Sequence, residues 1–563
     1  MAPNEHVLSD DRTVNIQLKG FSHERQWVTF GTASVIGSAF LNNQYKDSLT
    51  LARMLHQQAN LEDVIEVIQR LNGFFALIVR RSGWLIAVVD RIRSIPLYYA
   101  VHAGGVLLSD DASWVKNTVG DDRVDAISRS EYLHAGYVTL GDTLIPSVKQ
   151  LRAGEMLIAR WNPQDAKAGV EVSTRSYFIY SHSYTEENAS IDALDSVVLE
   201  ICERLVTVAG GRQIVVPLSG GLDSRLIVLQ LKRMGYDNLV AFSYGKPGNP
   251  ESEISQSVAA SIKIPWMFVP YTTADWYHWF RTEERKAYYR MADGLSSLPH
   301  IQDWPAVWML RSQKAIEDDA IIVPGHSADL PAGSRSVHPV LSKFYEDRAK
   351  YDLDAVINAI LEFHFSLQGG LNQSDDVYGA IRKKVEQALA EIPHFETKDG
   401  ASLTESWDWR ERQAKFIVNS VRVYDFWGYD WWLPFWDKSF MAFWSGVGLA
   451  QRKGKHLYDS YVHWLMRQLG VAISDGETSA RIRAWFRSQV NRGWGRLKDT
   501  RYQRLMRKAR WRYKKWLGAE YENHPLAWYG VMSKRTFAKL YTGKEQINSF
   551  LALERLGIVT FDG

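Results

Sequence analysis

The sequence predicts an α+β domain built on antiparallel sheets, followed by an α/β domain built on a parallel sheet. Residues 1 to about 185 contain short β-rich runs broken by glycine, serine and charged residues, a pattern typical of hairpins in antiparallel sheets. From about residue 190 onward, long helical periodicities alternate with short apolar runs, as in a parallel sheet covered by helices. The polar segment 180–190 is the predicted boundary.

Five runs in the first half predict strands because they are short, β-rich and bounded by turn residues. They are WVTFG, FFALIVR, WLIAVVD, LYYAV and GVLLS, at 27–31, 74–80, 84–90, 97–101 and 105–109. In the second half, strands of the parallel sheet are predicted for IVVPL, NLVAFSY and AIIVPG, at 214–218, 238–244 and 320–325. A helical pattern, DSRLIVLQLKRM, begins at Asp223, shortly after the first of these.

The composition is that of a large globular chain. With 563 residues, of which 46% are hydrophobic, the chain can bury more than one core, so two or three domains are expected. No apolar run approaches the roughly 18 residues of a membrane span, and the N-terminal segment lacks a signal-peptide core. We therefore expect a cytoplasmic protein. The one cysteine, Cys202, excludes an internal disulfide and a thiolate zinc cluster, and its helical context predicts a small buried side chain.

A small-residue turn, Ser219-Gly220-Gly221, joins the run IVVPL to the helical pattern that begins at Asp223. Backbone N–H groups and a helix N-terminus then point into one concavity, where a phosphate is the expected guest. The lysine of the loop GxxxxGK[ST] is absent, and aspartate stands there instead. Because a carboxylate repels polyphosphate unless a cation lies between them, Asp223 is interpreted as a magnesium ligand, with Ser219 and Ser224 donating to phosphate oxygens. A plain strand-to-helix turn is the alternative.

The loop SGGLDS resembles the pyrophosphate loop of the ATP pyrophosphatases, and the whole chain resembles the asparagine synthetase family. The segments that carry this resemblance occur in family order: LNGFFALIV at 71–79, DRIRSIPLYY at 90–99, SGGLDS at 219–224, VPGHSADL at 323–330, LPFWD at 433–437 and RKGKHLY at 452–458. The resemblance implies ATP and Mg²⁺ as cofactors. It also implies an amidotransferase-like domain with Ntn-type layered antiparallel sheets at 1–185, an ATP pyrophosphatase-type domain at 190–475 and a helical extension at 476–563.

The chain departs from glutamine-hydrolysing family members at its N-terminus. Those members use an N-terminal cysteine as the nucleophile, whereas this chain begins Met1-Ala2-Pro3 and its one thiol, Cys202, lies in the other half. We therefore expect a degenerate glutaminase domain that serves as a scaffold. The nitrogen then comes from free ammonia, from a separate ammonia-supplying partner protein or from an amine substrate.

A second departure lies at 325–330, where the chain reads GHSADL and asparagine synthetases carry GEGSDE. The resemblance places Gly325 at the pyrophosphate and pairs Asp329 with Asp223 as the two magnesium ligands. His326 replaces the family glutamate, which indicates contact with the attacking amine or the activated carboxylate. A structural loop histidine is the equal alternative.

A lysine of the segment RKGKHLY completes the site on the resemblance, because it approaches the α-phosphate and the pyrophosphate and stabilises their charge. The Lys-His-Leu spacing favours Lys455 over Arg452 and Lys453, with a surface basic cluster as the alternative. Adenine and ribose contacts are expected near the run NLVAFSYG, with Ser243 as first candidate and Glu253 as second. The full set predicted to bind ATP or pyrophosphate is Leu218, Ser219, Gly220, Gly221, Leu222, Asp223, Ser224, Ser243 and Gly325.

The region 481–515 is strongly basic and aromatic. It contains fourteen Lys or Arg residues and one acid, Asp499, interleaved with Trp, Tyr and Phe. Such a segment suits peripheral contact with the inner face of a membrane or a lipid-linked acceptor, with nucleic acid as the least favoured partner. A solvated charged helix is the alternative. The net charge of +3 makes any such attraction local.

The sequence thus predicts an ATP-dependent amide-forming ligase of the asparagine synthetase type. A substrate carboxylate attacks the ATP α-phosphate, an acyl-adenylate forms with loss of pyrophosphate, and ammonia or an amine displaces AMP. Two segments, FSYGKPGNPES and ADGLSSLPHIQDWP, look more similar to the family branch that amidates uronic acids in surface-polysaccharide biosynthesis. Asparagine formation and lactam or macrolactam closure are the rival activities. A retired homologue that acts as a binding subunit is the non-enzyme alternative.

Overall fold

The computed structural model describes residues 6–10, 13–22, 25–164, 169–185, 188–346, 352–372, 376–393, 399–471, 519–542 and 546–561. The basic stretch 481–515 lies outside the described residues, so the membrane, lipid-linked acceptor and nucleic-acid contacts predicted from it stay predictions. Of the predicted extension at 476–563, only 519–542 and 546–561 are described.

The described part of the chain up to residue 176 forms strands and short helices. The strands are β1 His6–Asp10, β2 Val14–Leu18, β3 Val28–Phe30, β4 Ala33–Leu41, β5 Gln44–Lys46, β6 Asn72–Arg81, β7 Trp84–Val89, β8 Tyr98–His102, β9 Gly105–Ser109, β10 Lys149–Gln150, β11 Glu155–Trp161 and β12 Val170–Ser176. The helices are α1 Ser48–Gln57, α2 Leu61–Arg70, α3 Ala112–Val119 and α4 Ala126–Ala135. All five runs predicted as strands in this half form strands, namely β3, β6, β7, β8 and β9.

These strands form two sheets, with the orders β1-β2-β9-β8-β10 and β12-β11-β7-β6-β4-β3, and β5 pairs with β4. The predicted antiparallel arrangement holds for every pair except β2 and β9, which run parallel. Alternation along β6 buries Ile78 between the sheets and Leu77 against α1 and α2, because successive side chains point to opposite faces. Val115 of α3 packs on the outer face of the other sheet, which completes four layers.

The second part alternates strands with helices. Its strands are β13 Ile214–Pro217, β14 Leu239–Gly245, β15 Trp266–Pro270, β16 Ile321–Ile322 and β17 Asp430–Trp431. Its α-helices are α5 Ile191–Ala209, α6 Leu222–Arg233, α7 Pro250–Ser261, α8 Thr273–Trp279, α9 Glu283–Ala292, α10 Trp304–Ser312, α11 Leu353–His364, α12 Asp376–Ala390, α13 Gly400–Asp408, α14 Arg422–Trp427, α15 Lys438–Gly446, α16 Leu449–Arg452, α17 His456–Gln468, α18 Ala519–Asn523, α19 Lys534–Leu540 and α20 Ile547–Arg555.

Several shorter helical segments complete this part. A π-helix spans Trp409–Ile417, directly after α13. The 3-10 segments are Ser334–Val337, Ser342–Tyr345, Val418–Val421, Pro434–Trp436, Lys453–Lys455 and Trp528–Val531.

The parallel sheet has the order β15-β14-β13-β16-β17, and all of its pairs are parallel, as predicted. The chain lays β14 and β15 on one side of β13 and then returns to lay β16 and β17 on the other. The order therefore reverses between β13 and β16, and in such sheets ligands bind beyond the carboxyl ends of the strands at that point. The loops that follow β13 and β16 meet there. The predicted fold class, α+β followed by α/β with helical additions, is confirmed.

Strand β12 ends at Ser176 and helix α5 begins at Ile191, so the predicted boundary at 180–190 falls between them. The Ser190 side chain accepts a hydrogen bond from the Ala193 N–H and caps α5, and Gly210 ends the helix in the left-handed conformation. The predicted division into three units stays a prediction, because the described residues cover only part of the extension.

The two parts are joined by buried polar contacts. The Lys415 ammonium on the π-helix donates to the carbonyls of Val138 and Leu140 at 3.0 and 2.6 Å, and Glu411 accepts the Leu140 N–H at 3.1 Å. Asp437 accepts hydrogen bonds from Asn72 and, at 2.7 Å through each oxygen, from Arg204. These contacts hold the antiparallel layers firmly against the second part. Within the described residues, every helix is too short or too polar to cross a membrane.

Candidate functional site

The phosphate loop lies between β13 and α6, as predicted, with Gly221 as the N-cap of α6. Its hydroxyls hold the turn together: the Ser219 N–H donates to Ser224 Oγ at 3.1 Å, and the Gly221 N–H donates to Ser219 Oγ at 3.2 Å. The two hydroxyl oxygens lie 3.2 Å apart. The N-terminus of α6 has no side-chain cap, so its first N–H groups are available to an anion.

The glycines of this site are required by close packing. A Cβ on Gly325 would lie 2.4 Å from both N and Cα of Ser224, so only glycine lets the loop after β16 touch the phosphate loop. A Cβ on Gly220 would lie 3.3 Å from Cα of Glu251 in α7. None of Gly220, Gly221 and Gly325 has a positive φ angle. Close approach of another backbone segment favours glycine at positions 220 and 325.

The two predicted magnesium ligands lie side by side. The Asp329 N–H donates to Asp223 Oδ2 at 3.3 Å, and the Tyr458 hydroxyl donates to Asp223 Oδ1 at 2.8 Å. Burial and the negative charge of Asp329 raise the pKa of Asp223 to about 7, against smaller opposing effects of Tyr458 and Lys455. Within the described residues, no lysine or arginine forms an ion pair with Asp223 or Asp329, and such a carboxylate pair fits a divalent cation. The described residues hold no cluster of three or more His, Cys, Asp or Glu that could bind a metal ion.

Of the three basic candidates at 452–455, the structure brings Lys455 to the carboxylate pair. Its positive charge lowers the pKa of Asp223. Its Nζ lies 3.4 Å from Asp459 Oδ1. Its backbone is left-handed, with a φ angle of 59°, at the start of α17. Arg452 is instead fully buried, where it donates to the Pro331 carbonyl at 2.8 Å and pairs with Glu405. Lys453 lies 3.9 Å from Glu346 on the surface.

His326 is partly buried, with both ring nitrogens near hydroxyl groups. Its Nε2 lies 3.2 Å from Ser420 Oγ and its Nδ1 lies 3.4 Å from Ser327 Oγ. Burial, aided by the charge of His300, lowers the pKa of His326 to about 4. The imidazole is neutral at physiological pH, as a proton acceptor must be.

An arginine near the carboxylate pair has no partner. Arg412, on the π-helix, makes no hydrogen bond or ion pair within the described residues, and the charges of Asp408 and Asp329 act on its pKa. Its neighbour Gln413 is held on both sides, by Ser327 Oγ at 2.9 Å and by Asp408 at 3.0 Å. Arg335 is bound to Asp408 at 2.6 Å. Arg412 is therefore the guanidinium left available to a ligand anion in this part of the site.

Ser243 lies near the carboxyl end of β14, two residues before Gly245, and its side chain is buried. Strand β14 pairs with β13, so this end of β14 faces the same edge of the sheet as the phosphate loop. Glu253 lies in the first turn of α7 and is exposed. The structure places both on elements that border the phosphate loop, and their nucleotide contacts stay predictions.

Cys202 is buried in α5, as predicted. Burial raises the pKa of its thiol to about 12, so it is protonated and unreactive at physiological pH. The first domain thus has no nucleophilic thiol within the described residues.

Two further site residues were not among the sequence candidates. Tyr458 is the last residue of the segment RKGKHLY, but no pattern in that segment predicts its hydrogen bond to Asp223, which lies 235 residues away. Arg412 lies in an undistinguished charged segment, WRERQAK. Its position on a π-helix, a geometry that recurs at functional sites, is what indicates a functional role.

Two sequence families match the chain in the predicted order. Residues 207–548 match the family described as asparagine synthase, and residues 55–169 match a glutamine amidotransferase domain. The first match covers more than half of the chain. No curated protein matches the chain.

Solved structures that resemble the chain include two NAD synthetases and one amidotransferase. The NH3-dependent NAD synthetase from Campylobacter jejuni subsp. jejuni NCTC 11168 is 13% identical, with 36% of this chain and 95% of that chain covered and a TM-score of 0.21. The NAD+ synthetase from Burkholderia pseudomallei is 18% identical, with 27% and 58% covered and a TM-score of 0.17. Glutamine phosphoribosylpyrophosphate amidotransferase from B. subtilis is 10% identical, with 63% and 77% covered and a TM-score of 0.19. Similarities of this size carry no conclusion about activity.

Proposed function

Because the chain belongs to the asparagine synthase family, a family of ATP-dependent amide-forming enzymes, we propose that it joins ammonia or an amine to a carboxylate through an acyl-adenylate. One observation carries this proposal. Asp223, in the first turn of α6, and Asp329, in the loop after β16, meet beside the open N-terminus of α6 with Lys455 near them. Such a pair is unfavourable without a cation and polyphosphate, and the switch point of the parallel sheet is where a nucleotide binds.

In the first step, a carboxylate oxygen of the substrate attacks the α-phosphorus of ATP, and the bond from this phosphorus to the pyrophosphate oxygen breaks. The N–H groups at the start of α6 and the ammonium of Lys455 hold the phosphates and stabilise the charge of the departing pyrophosphate. Asp223 and Asp329 would hold Mg²⁺, which when bound neutralises phosphate charge and orients the leaving group. Tyr458 fixes Asp223 in position through its hydroxyl.

The substrate carboxylate needs a cationic partner that holds it in line with the α-phosphate. Arg412 fits this role, since it makes no hydrogen bond or ion pair in the described part of the chain and lies within electrostatic reach of Asp329. A guanidinium presents two parallel N–H groups to the two oxygens of a carboxylate, which fixes orientation as well as charge. Arg335 cannot serve equally, because Asp408 already occupies it.

In the second step, the nitrogen of ammonia or an amine attacks the acyl carbon, the bond from this carbon to the AMP oxygen breaks, and the nitrogen loses a proton. We assign the proton acceptor to His326, which is neutral and lies on the loop that carries Asp329. Its Nε2 faces Ser420 Oγ at 3.2 Å, so that hydroxyl also sets the orientation of the ring.

For the substrate, we propose a uronic acid of a surface polysaccharide, supported by the segments at 242–252 and 292–305 that look similar to that branch of the family. Aspartate, which would give asparagine, and an intramolecular lactam or macrolactam precursor are the rival substrates. The nitrogen donor is ammonia or an amine, delivered free or by a partner protein, because the first domain has no described nucleophilic thiol.

The test is a pyrophosphate-release screen with ATP and Mg²⁺ across uronic acids, aspartate and amino-acid-derived carboxylates, each with ammonium or glutamine. We expect one carboxylate class to release pyrophosphate and AMP in equal amounts, and to give amide with ammonium but none with glutamine. Formation of ADP and phosphate would overturn the proposed chemistry. ATP binding without cleavage for every carboxylate would favour the retired binding subunit instead.

A further inference from the structure

A cavity of about 1040 Å³ lies between the antiparallel part and the second part of the chain. Its walls come from the segment after β2, from β8 and the start of α3, and on the opposite side from α9 and α14. None of the predicted ATP, metal or catalytic residues lines it. The cavity is therefore separate from the predicted nucleotide site, and the antiparallel part of the chain contributes half of its lining residues.

One wall holds a buried arginine with unused hydrogen-bond donors. Arg422 is 1% exposed, and its Nη2 donates to the Ser94 carbonyl at 2.7 Å and lies 3.0 Å from Asp425. Its Nε and Nη1 have no hydrogen-bond partner among the residues that the structure describes. The guanidinium stacks on Phe21, which also lines the cavity, at 4.3 Å from the ring centroid. Buried N–H groups of a cation are costly when unpaired, so this wall is suited to an anion.

Two more arginines lie at the rim. Arg290 and Arg311 line the cavity, are exposed, and make no hydrogen bond or ion pair within the described residues. The acids of the lining, by contrast, already have partners. Asp111 lies 3.6 Å from Lys19 Nζ, and Asp110 accepts hydrogen bonds from two backbone N–H groups and the Trp27 indole.

The third acid of the lining, Asp425, is ion-paired, although its Oδ2 accepts no hydrogen bond within the described residues. It lies 3.0 Å from Arg422, and its Oδ1 accepts the Trp431 indole N–H at 3.0 Å. The charge left without a partner in the cavity is therefore positive. An anionic group is the complementary ligand chemistry.

The rest of the lining is apolar and partly aromatic. Phe21, Pro96, Tyr98, Met291 and Phe426 provide flat surfaces between the arginines. Small-molecule sites combine such apolar walls with a few convergent polar groups that fix orientation. A ligand that matches both features has an aromatic or similarly flat apolar body with an acidic group attached.

We propose that this cavity is a second ligand site, which binds a small molecule carrying a carboxylate or phosphate group on a flat apolar body. Arg422 receives the acidic group through Nε and Nη1, with Arg290 and Arg311 at the entrance. The proposal rests on binding alone and does not depend on the proposed ligase activity.

The same helical segment that lines the cavity also contacts the catalytic loop. From residue 418 to 427, Asn419, Arg422 and Phe426 face the cavity, whereas Ser420 contacts His326 Nε2 at 3.2 Å. Residues three and four apart share a helix face, which places the cavity and the His326 contact on different faces of this segment.

Calorimetric titration of the full chain with phenyl phosphate, phenylacetate and neutral benzyl alcohol tests the site. We expect at least one of the two anions to bind and the alcohol not to bind, and the anion that binds more tightly identifies the acidic group as phosphate or carboxylate. In the double variant Arg290→Gln, Arg311→Gln, affinity is expected to fall at least tenfold. The matched control, Arg129→Gln with Arg160→Gln, removes two exposed arginines outside the cavity and should bind as the unchanged protein does.

The variant Arg422→Lys keeps the charge but removes the unused donors, and it should lose binding as well. If it fails to fold, the rim variant decides the question, because its positions are exposed. Absence of binding by both anions, or equal affinity of the rim and control variants, overturns the proposal. Binding of benzyl alcohol as tightly as the anions overturns it too, because the arginines would then play no part.

Discussion

At the residue scale, the site is defined by a carboxylate pair that has no direct contact with an arginine or lysine within the described residues. Asp223 is held by the Asp329 N–H and the Tyr458 hydroxyl, and burial with the charge of Asp329 raises its pKa to about 7. A purely structural pair would gain from a direct arginine or lysine contact, as Asp408 does from Arg335 at 2.6 Å. This difference indicates a site that is completed by a cation.

Removing the charge of Asp223 tests this interpretation. Asp223→Asn should lower Mg²⁺-dependent pyrophosphate release by two or more orders of magnitude, roughly the scale at which one charge-stabilising element acts. The matched control is Asp237→Asn, since the Asp237 carboxylate is 91% exposed. Pyrophosphate release by the Asp223 variant at the rate of this control would contradict the assignment.

Arg412 offers a test of substrate recognition. Arg412→Gln should raise the KM for the carboxylate substrate about tenfold or more while the KM for ATP stays unchanged, because the lost contact is to the acid and not to the nucleotide. Arg412→Lys should recover part of the affinity, since it restores charge without the paired N–H geometry. Steady-state kinetics with each substrate varied separately measures both effects. A matching increase in the KM for ATP would assign Arg412 to the phosphates instead.

The low pKa of His326 determines how amide formation should depend on pH. Because burial lowers its pKa to about 4, a neutral His326 persists as the pH falls through 6.5, and base catalysis should fail only as the pH approaches about 4. At each pH, the rate of amide formation by the unchanged protein is divided by the rate of the His326→Gln variant. Ionisation of the amine affects both rates equally, so it does not change this ratio. We expect this ratio to be about 10² and flat from pH 8 to about 5. A ratio that falls with a midpoint near 6.5 would disprove the buried, neutral base.

That variant should also keep carboxylate-dependent exchange between ATP and labelled pyrophosphate, because adenylation does not need the amine. Loss of exchange together with amide formation would identify His326 as a structural residue or a phosphate contact. Unchanged amide formation would show that it only lines the loop.

At the element scale, the loops after β13 and β16 form one surface because they approach at a distance that excludes a side chain. The absent Cβ of Gly325 would lie 2.4 Å from backbone atoms of Ser224. Backbone atoms cannot move aside as a flexible side chain can, so the contact fixes the position of Asp329 relative to Asp223. The strand order places both loops at the same edge of the sheet.

Gly325→Ala should therefore separate the two loops. We expect pyrophosphate release to fall at least 100-fold and the free energy of unfolding to fall by about 1–3 kcal/mol, the usual cost of overpacking. Gly379→Ala is the control, because no atom lies within 4 Å of its added Cβ in helix α12. Denaturant unfolding and pyrophosphate assays check the two effects, and wild-type activity in Gly325→Ala would show that the loops tolerate separation.

At the scale of the whole molecule, a four-layer domain without a described nucleophilic thiol is held against the synthetase part by buried polar contacts. Lys415, which is fully buried, donates to two carbonyls of the first part and pairs with Glu411 at 2.6 Å. Contacts of this kind require both parts to be in place for their partners to be satisfied. The first domain is thus part of the architecture that supports the synthetase loops and forms half of the interdomain cavity.

We predict that the protein releases no glutamate from glutamine, because Cys202 is the one cysteine of the sequence. Cys202 cannot act as the nucleophile, since burial raises the pKa of its thiol to about 12. Amide formation should proceed with ammonium or a primary amine as the nitrogen source. A glutamate assay on the purified chain, with Cys202→Ala as control, measures this. Glutaminase activity that survives in the control would require another nucleophile and would contradict the scaffold interpretation.

The sequence by itself determined the class of fold and the phosphate loop, because both depend on local patterns. Alternating runs identified the strands β6, β7, β13 and β14, and the small-residue turn before Asp223 identified the anion site. The order of the motifs along the chain identified the family, because six motifs occur in the order found in that family.

Only the tertiary structure decided which residues meet. The hydrogen bonds of Asp223 to Asp329 and Tyr458 span 106 and 235 residues, and they depend on the order of strands and on helix packing. The pKa of His326, the unpaired state of Arg412 and the cavity beside Arg422 depend on what surrounds each group in space. Burial and electrostatic environment are sums over neighbours distant in sequence, and a local pattern contains no record of those neighbours.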